Sequence, residues 1–329
     1  MITRAPGKIV LSGAYAALLG APAIVVAVDR YATADPWQTA DFVTPEVKAV
    51  FGTTAAPRVD ATPLRGEGRK LGLGSSAAIL VASLAARELA QRGPLPDELL
   101  CAAVFDEALA AHRLAQGGGS GVDVAASCHG GTLIARRTGN TLRVQQTQLP
   151  PALVVAMWTA DESASTPQLL AEIRELARRR PRDHDRLLSE QGHAADNAVS
   201  ALRSGSATAL VRALTEQREC LERLGRAARV PIVTNAVRRL DELARAEGAV
   251  VLPAGAGGGD IAVFVGPRPP STALAGAARQ WRHLPLRATL DARGVHCWDP
   301  RGEEDLAREQ RVHSMDAWCG EAEIRRTTH

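Results

Sequence analysis

The chain has 329 residues, of which 46% are hydrophobic, 23% charged and only 3% aromatic, with a formal net charge of +3. That balance excludes a disordered chain and calls for a core built chiefly from Ala, Val and Leu. With so small a charge and no basic run interleaved with aromatics, nothing favours a nucleic-acid partner; "RRRPRDHDR" at 178–186 carries Asp183 and Asp185 and reads as a solvated helix end or loop.

In chain order, the first problem is "APGKIVLSGAYAALLGAPAIVVAVDR" at 5–30. Arg4 and Lys8 precede a run without charge from Ile9 to Val28, and "ATA" follows at 32–34, which is the outline of a secretory signal. Gly13, Gly20 and Pro22 interrupt the run, so "LLGAPAIVV" reads instead as a turn between two apolar strands. Cysteines at 101, 128, 220, 297 and 319 are isolated in sequence, odd in number and free of CxxC spacing. They argue against a disulfide framework and a zinc site, and for a reduced, cytoplasmic protein with no membrane association.

From Pro36 to Lys70 the chain is polar, with one weak strand over Val47–Phe51. "LGLGSSAAILVASLAARELAQRG" reads as a Gly-rich loop entering a helix that ends near Gly93, and Leu99 to Ala115 as a second amphipathic helix. "GGGSGVDVAASCHGG" at 117–131 is a second Gly-rich loop with a short helix, followed by strands "TLIARR" and "TLRVQQ". After Pro150 and Pro151, strand "LVVAMWTA" leads to helices over 167–180, 184–203, 206–228 and 231–247. Strands "AVVLPA" and "IAVFVG" flank a third Gly-rich loop, "GAGGGD" at 255–260, and a last strand lies near 286–298. The pattern is α+β, with domains expected over 1–155 and 156–300 and a polar tail over 301–329.

Glycine-rich loops allow close backbone approach to a ligand, and a following helix N-terminus presents free N–H groups. "GLGSSAA" at 72–78 combines both and suits a nucleoside triphosphate, with a Ser hydroxyl available to Mg²⁺. It is no P-loop, because GxxxxGK[ST] is absent, and no acidic residue stands about twenty residues on, as a dinucleotide site requires. Lysine occurs only at 8, 48 and 70, which singles out Lys8 in "PGK" as a compact point charge beside a phosphate.

Taken in order, "APGKIVLSGAYAALLG", "LGLGSSAA" and "PAGAGGGD" resemble the three motifs of the GHMP kinases, over roughly residues 4–300. Within that family, "VAVDRY" (26–31), "AHRLAQGGGSGVDVAAS" (111–127) and "MWTADESAST" (157–166) look like stretches of phosphomevalonate kinases of bacterial and fungal type. Asp260, where mevalonate kinases more often carry Gly, points the same way. The resemblance implies two domains, the N-terminal one like ribosomal protein S5 and the C-terminal one ferredoxin-like. It implies transfer of the γ-phosphoryl group of ATP, with Mg²⁺, to a small phosphorylated acid, turning phosphomevalonate into diphosphomevalonate. Lys8 would stand between the γ-phosphate and the acceptor, with Asp123 nearby. Gly72, Gly74, Ser75, Ser76 and Ala77 would hold the ATP phosphates, and Ser76 the metal. Gly255, Ala256, Gly257, Gly258 and Asp260 would form the substrate loop, with Tyr15 and Ser120 as further contacts.

Other roles fit some of these residues. Asp123, and either Ser75 or Ser76, also suit helix N-caps. His112 and His129 read as packing or helix-cap residues, while Arg113 and Arg30 compete to hold the substrate's anion. The chain departs from the family at Ala14, where Glu is common, at Leu252, where Lys is common, and in its short interval between the first two motifs. A kinase for mevalonate or another small molecule, an ATP-dependent decarboxylase of the same fold, and a non-catalytic nucleotide binder are the alternatives. A homodimer is compatible with all of them.

Overall fold

The uncharged run that opens the chain forms two adjacent strands. β1 (Ile2–Ser12) and β2 (Pro22–Thr39) pair antiparallel, joined through a 3-10 turn over Ala16–Leu19 that Gly20 ends in a left-handed conformation. Ile9 and every residue from Ala23 to Val28 are fully buried, because helices cover this part of the sheet on both faces. Strands buried on both faces read as continuous apolar runs rather than alternating ones, which accounts for the missing charge. The computed structural model describes residues 1–52, 56–66, 69–139, 141–160 and 166–301; residues 161–165 of "MWTADESAST" and residues 302–329 of the tail lie outside it. Among the described residues, no helix is long and apolar enough to cross a membrane.

The weak strand expected over Val47–Phe51 is instead a helix, α1 (Pro45–Phe51). Local capping overrides the β-branched composition. The Thr44 hydroxyl accepts from the Val47 N–H at 3.4 Å, Pro45 opens the first turn, Glu46 faces the positive helix end, and Gly52 stops it. β3 (Pro57–Asp60) then pairs with β2, and β4 (Arg65–Gly66) with β5 (Arg69–Lys70). The expected helices follow as α2 (Ser75–Arg92), α3 (Asp97–Gln116) and α4 (Val122–His129), and the expected strands as the hairpin of β6 (Thr132–Thr138) and β7 (Thr141–Thr147). α2 and α4 pack on β1 and β2.

The second part contains β8 (Val154–Ala160), α5 (Thr166–Arg179), α6 (Pro181–Arg203), α7 (Ala207–Ala228), α8 (Asn235–Ala246), β9 (Val250–Pro253) and β10 (Ile261–Gly266). A helix absent from the sequence reading, α9 (Thr272–Gln280), precedes β11 (His283–Pro285) and β12 (His296–Trp298). The second sheet is antiparallel throughout, in the order β11-β8-β10-β9. With helices between β8 and β9 and again between β10 and β11, this is the ferredoxin-like split βαβ topology. The chain then returns to the first sheet, where β12 pairs with β1 in the order β12-β1-β2-β6-β7 and β3 lies on β2. The α5–α6 junction holds "RRRPRDHDR", where Asp183 pairs with both Arg180 and Arg186 at the surface.

One apolar core runs from Ile24 in the first sheet, through Ala198 and Leu214 on α6 and α7, to Leu252 in the second. Leu252 is 1% exposed and faces Val263 across the β9–β10 pair, so a lysine there would strand its charge in the core.

Candidate active site

Lys8 lies in the middle of β1, where the second motif crosses over it. Its backbone N–H donates to the Leu73 carbonyl at 2.8 Å, and its Nζ donates to the Gly72 carbonyl at 3.3 Å. Gly74 has a φ of 74°, and a Cβ there would lie 2.8 Å from Lys8 Cε, so only glycine lets the loop pass over the lysine stem. On its other side, Gly72 abuts the third motif: a Cβ on it would lie 2.7 Å from that of Asp260. A Cβ on Gly255 would sit 4.0 Å from Lys8 Nζ. Three motifs far apart in sequence therefore close around one ammonium group.

The charges of Asp123 and Asp260 act on that ammonium. Burial pulls the Lys8 pKa below its ordinary value, and Asp123, then Asp260, oppose the shift without cancelling it. Asp123 stands in the first turn of α4, but the cap residue is Gly121, so capping does not explain the carboxylate. Its Oδ1 accepts from the Val124 N–H at 3.1 Å, and its Oδ2 lies 3.3 Å from His112 Nε2. His112, 5% exposed on α3, thus orients the carboxylate as well as filling space. No spacing rule flags this pair, because it exists only once α3 and α4 pack together.

Gly74 is likewise the cap residue of α2, with no side-chain capping bond, and the first helical bond runs from Ala78 N–H to the Gly74 carbonyl at 3.2 Å. Ser75, Ser76 and Ala77 therefore present N–H groups without helical partners, at the positive end of an eighteen-residue helix. This cradle fits a polyphosphate. Among the described residues, no cluster of three or more His, Cys, Asp or Glu could hold a metal. The half-buried Ser76 is the residue that would hold Mg²⁺ together with the phosphates of a nucleotide, an oxygen donor of the kind this ion takes.

Hydrogen bonds tie several of the other expected site residues to the fold. The Tyr15 hydroxyl donates to the Ala256 carbonyl at 2.6 Å, and burial raises its pKa, so it ties the first motif to the third. The same turn is held by Ala16 N–H to Gln191 Oε1 at 2.8 Å and by Ser12 Oγ to Gln217 Oε1 at 3.4 Å. Gly258 N–H donates to the Ile232 carbonyl at 3.0 Å, and Gly257 packs on the same group, which seats the third loop ahead of α8. Ser120, half-buried, sits in the loop before α4. Arg30 donates to the Arg287 carbonyl, whereas Arg113 lies close enough to Arg137 for the two charges to disfavour each other. Arg137 also donates to the Gly119 carbonyl at 3.4 Å, which puts this cationic pair beside the loop that carries Ser120.

Residues 63–131, which include the second motif, α2, α3 and α4, match the description of the GHMP kinases N terminal domain. The chain carries a GHMP kinase N-terminal domain. It is 28% identical to the phosphomevalonate kinase of a Streptomyces species, over 90% of this chain and 98% of that protein. It is 26% identical to the mevalonate kinase of Archaeoglobus fulgidus, over 82% of this chain and 94% of that one. The fold superposes with a TM-score of 0.68 on the Streptococcus pneumoniae phosphomevalonate kinase in complex with phosphomevalonate and AMPPNP, at 18% identity, covering 88% of this chain and 100% of that one. This is a kinase with the GHMP kinase fold along its described length.

Proposed function

We propose that this GHMP kinase transfers the γ-phosphoryl group of ATP to the phosphate of phosphomevalonate, yielding diphosphomevalonate and ADP. The observation that carries the reading is the closure of three glycine-rich motifs around Lys8, beside the open N-terminus of α2. Phosphoryl transfer between two polyanions depends on positioning and charge neutralisation rather than covalent help. The N–H groups of Ser75, Ser76 and Ala77 hold the nucleotide phosphates, and Lys8 spans the γ-phosphate and the acceptor. A bound polyanion counters the burial that depresses Lys8, so the ammonium is charged when it is needed. Mg²⁺, held by the half-buried Ser76 together with the nucleotide, would neutralise part of the phosphate charge. An ionised acceptor needs no general base, and Asp123, fixed by His112 and the Val124 N–H, serves to orient Lys8 and keep it charged. Arg113 and Arg137 supply further positive charge at the acceptor side. With free thiols and ATP as co-substrate, the cytoplasm is the setting that suits the enzyme.

The Streptomyces relative, similar over nearly its whole length, supports a phosphorylated acceptor. The Archaeoglobus relative supports a second reading, in which mevalonate is the acceptor and Asp123 takes the proton from its hydroxyl. A coupled ADP-release assay with a panel of acceptors separates them. Turnover is expected with phosphomevalonate; turnover with mevalonate alone would move the assignment to the second reading. Release of CO₂ together with phosphate would point to the decarboxylase.

A further inference from the structure

The far end of α4 carries a second group of reactive side chains. Its last turn places Cys128 and His129 against Cys101, which lies one turn into α3. The Cys101 sulfur is 3.4 Å from His129 Nδ1, and the Cys128 thiol hydrogen-bonds to it. Phe105 meets the His129 ring edge-on, with centroids 4.9 Å apart, and so fixes the imidazole. All four residues border a partly open cavity of about 610 Å³ between α3, α4 and residues 291–295. Although the thiols are 7% and 2% exposed, this cavity gives a small oxidant a path to them.

We propose that Cys101 is a peroxide-reactive thiol and that Cys128 resolves its oxidised form into an intramolecular disulfide. The thiolate is the reacting species of any cysteine. His129 Nδ1, 3.4 Å from the sulfur, is the base that takes the Cys101 proton. The hydrogen bond from Cys128 and the contact with His129 bring Cys101 to about 5, against burial and the nearby Asp97 carboxylate. Asp97 is itself paired with Arg293, at 2.5 and 2.7 Å. The other charged groups on the cavity wall are Glu98 and Asp106 of α3 and Asp291 opposite. Cys128, almost fully buried, is pushed well above the ordinary thiol value by burial and stays protonated. The pair is thus asymmetric, with one nucleophile and one resolving thiol.

The Cys101 thiolate attacks one peroxide oxygen; an S–O bond forms, the O–O bond breaks, and the departing hydroxide takes the His129 proton to become water. Cys128 then attacks the Cys101 sulfenic acid. The S–S bond forms, the S–O bond breaks, and the hydroxide leaves as water with the Cys128 proton. The two sulfurs together give up two electrons, which reduce one peroxide to two waters.

The test uses the reduced full chain and peptide-resolved mass spectrometry. With iodoacetamide at pH 6, Cys101 should label at least about 10-fold faster than Cys220 and Cys297, since ordinary thiols are almost wholly protonated there. In a separate, unlabelled sample of the reduced chain, hydrogen peroxide should join Cys101 to Cys128 with loss of two hydrogens. His129→Asn should slow labelling at Cys101, and Cys128→Ser should divert the product to sulfinic acid at Cys101. Labelling of wild-type Cys101 no faster than of Cys220 and Cys297 would overturn the proposal. Fast labelling followed only by oxyacids of Cys101 in the wild type would overturn the resolving role of Cys128.

Discussion

Lys8 holds its proton under opposed influences, and these make its titration a direct probe of the site. Burial lowers its pKa, so the native lysine releases its proton at a lower pH than the unfolded one would. The charged form does the work, so kcat/KM should fall as pH rises through that depressed value. Asp260 helps to hold the proton, and Asp260→Asn should therefore shift the alkaline limb to lower pH; a limb that stays in place would show that Asp260 does not act on Lys8 in solution. Lys8 and Asp123 were legible in the sequence because each sits inside a motif whose neighbours narrow its role. The Tyr15 hydroxyl, expected at the substrate, donates to the Ala256 carbonyl. His112, and the meeting of Cys101 with Cys128, were not legible. They are contacts across the α3–α4 interface between residues whose separation in the sequence carries no period.

At the scale of elements, helix periodicity and glycine punctuation located most helices and strands, and failures came where local chemistry outvoted composition. Val47, Val50 and Phe51 favour a strand by residue type, but the Thr44–Pro45 start and the Gly52 stop make a helix of them. Another feature hidden from the sequence is the polar knot joining α7, α8 and β9. Asp241, fully buried, accepts from Arg218 Nε at 2.8 Å, from Arg245 Nε at 2.9 Å and from the Val251 N–H at 3.1 Å. The knot ties α7 and α8 to the strand that leads into the third loop. Asp241→Ala leaves the buried Arg218 guanidinium short of a partner and should lower the free energy of unfolding by about 3–5 kcal/mol in urea titrations. A loss well under 1 kcal/mol would mean that water or Glu222 replaces the carboxylate at little cost.

On the scale of the whole molecule, the three motifs can meet because two sheets share one core and β12 returns to pair with β1. β12 lies on β1, the strand that carries Lys8, while α6 and α7 fill the space between β2 and the second sheet. The α+β class and the loops were legible in the sequence. The order of the strands was not, because β8 pairs with β10 and β11, from which α5 to α8 separate it in sequence. A shared core predicts that both sheets unfold together. Urea unfolding followed by far-ultraviolet dichroism and by tryptophan fluorescence should give coincident transitions, shifted upward together by about 2.7 kcal/mol when AMPPNP is present at a hundred times its Kd. Separate transitions would contradict a common core.

Lys8 is the point on which the proposed chemistry turns, and replacing it tests that chemistry most directly. In the ADP-release assay with phosphomevalonate as acceptor, Lys8→Met should lower kcat by roughly 10²- to 10⁴-fold, while its urea midpoint stays close to that of the wild type. Turnover within a few-fold of the wild type would contradict a phosphoryl transfer centred on Lys8.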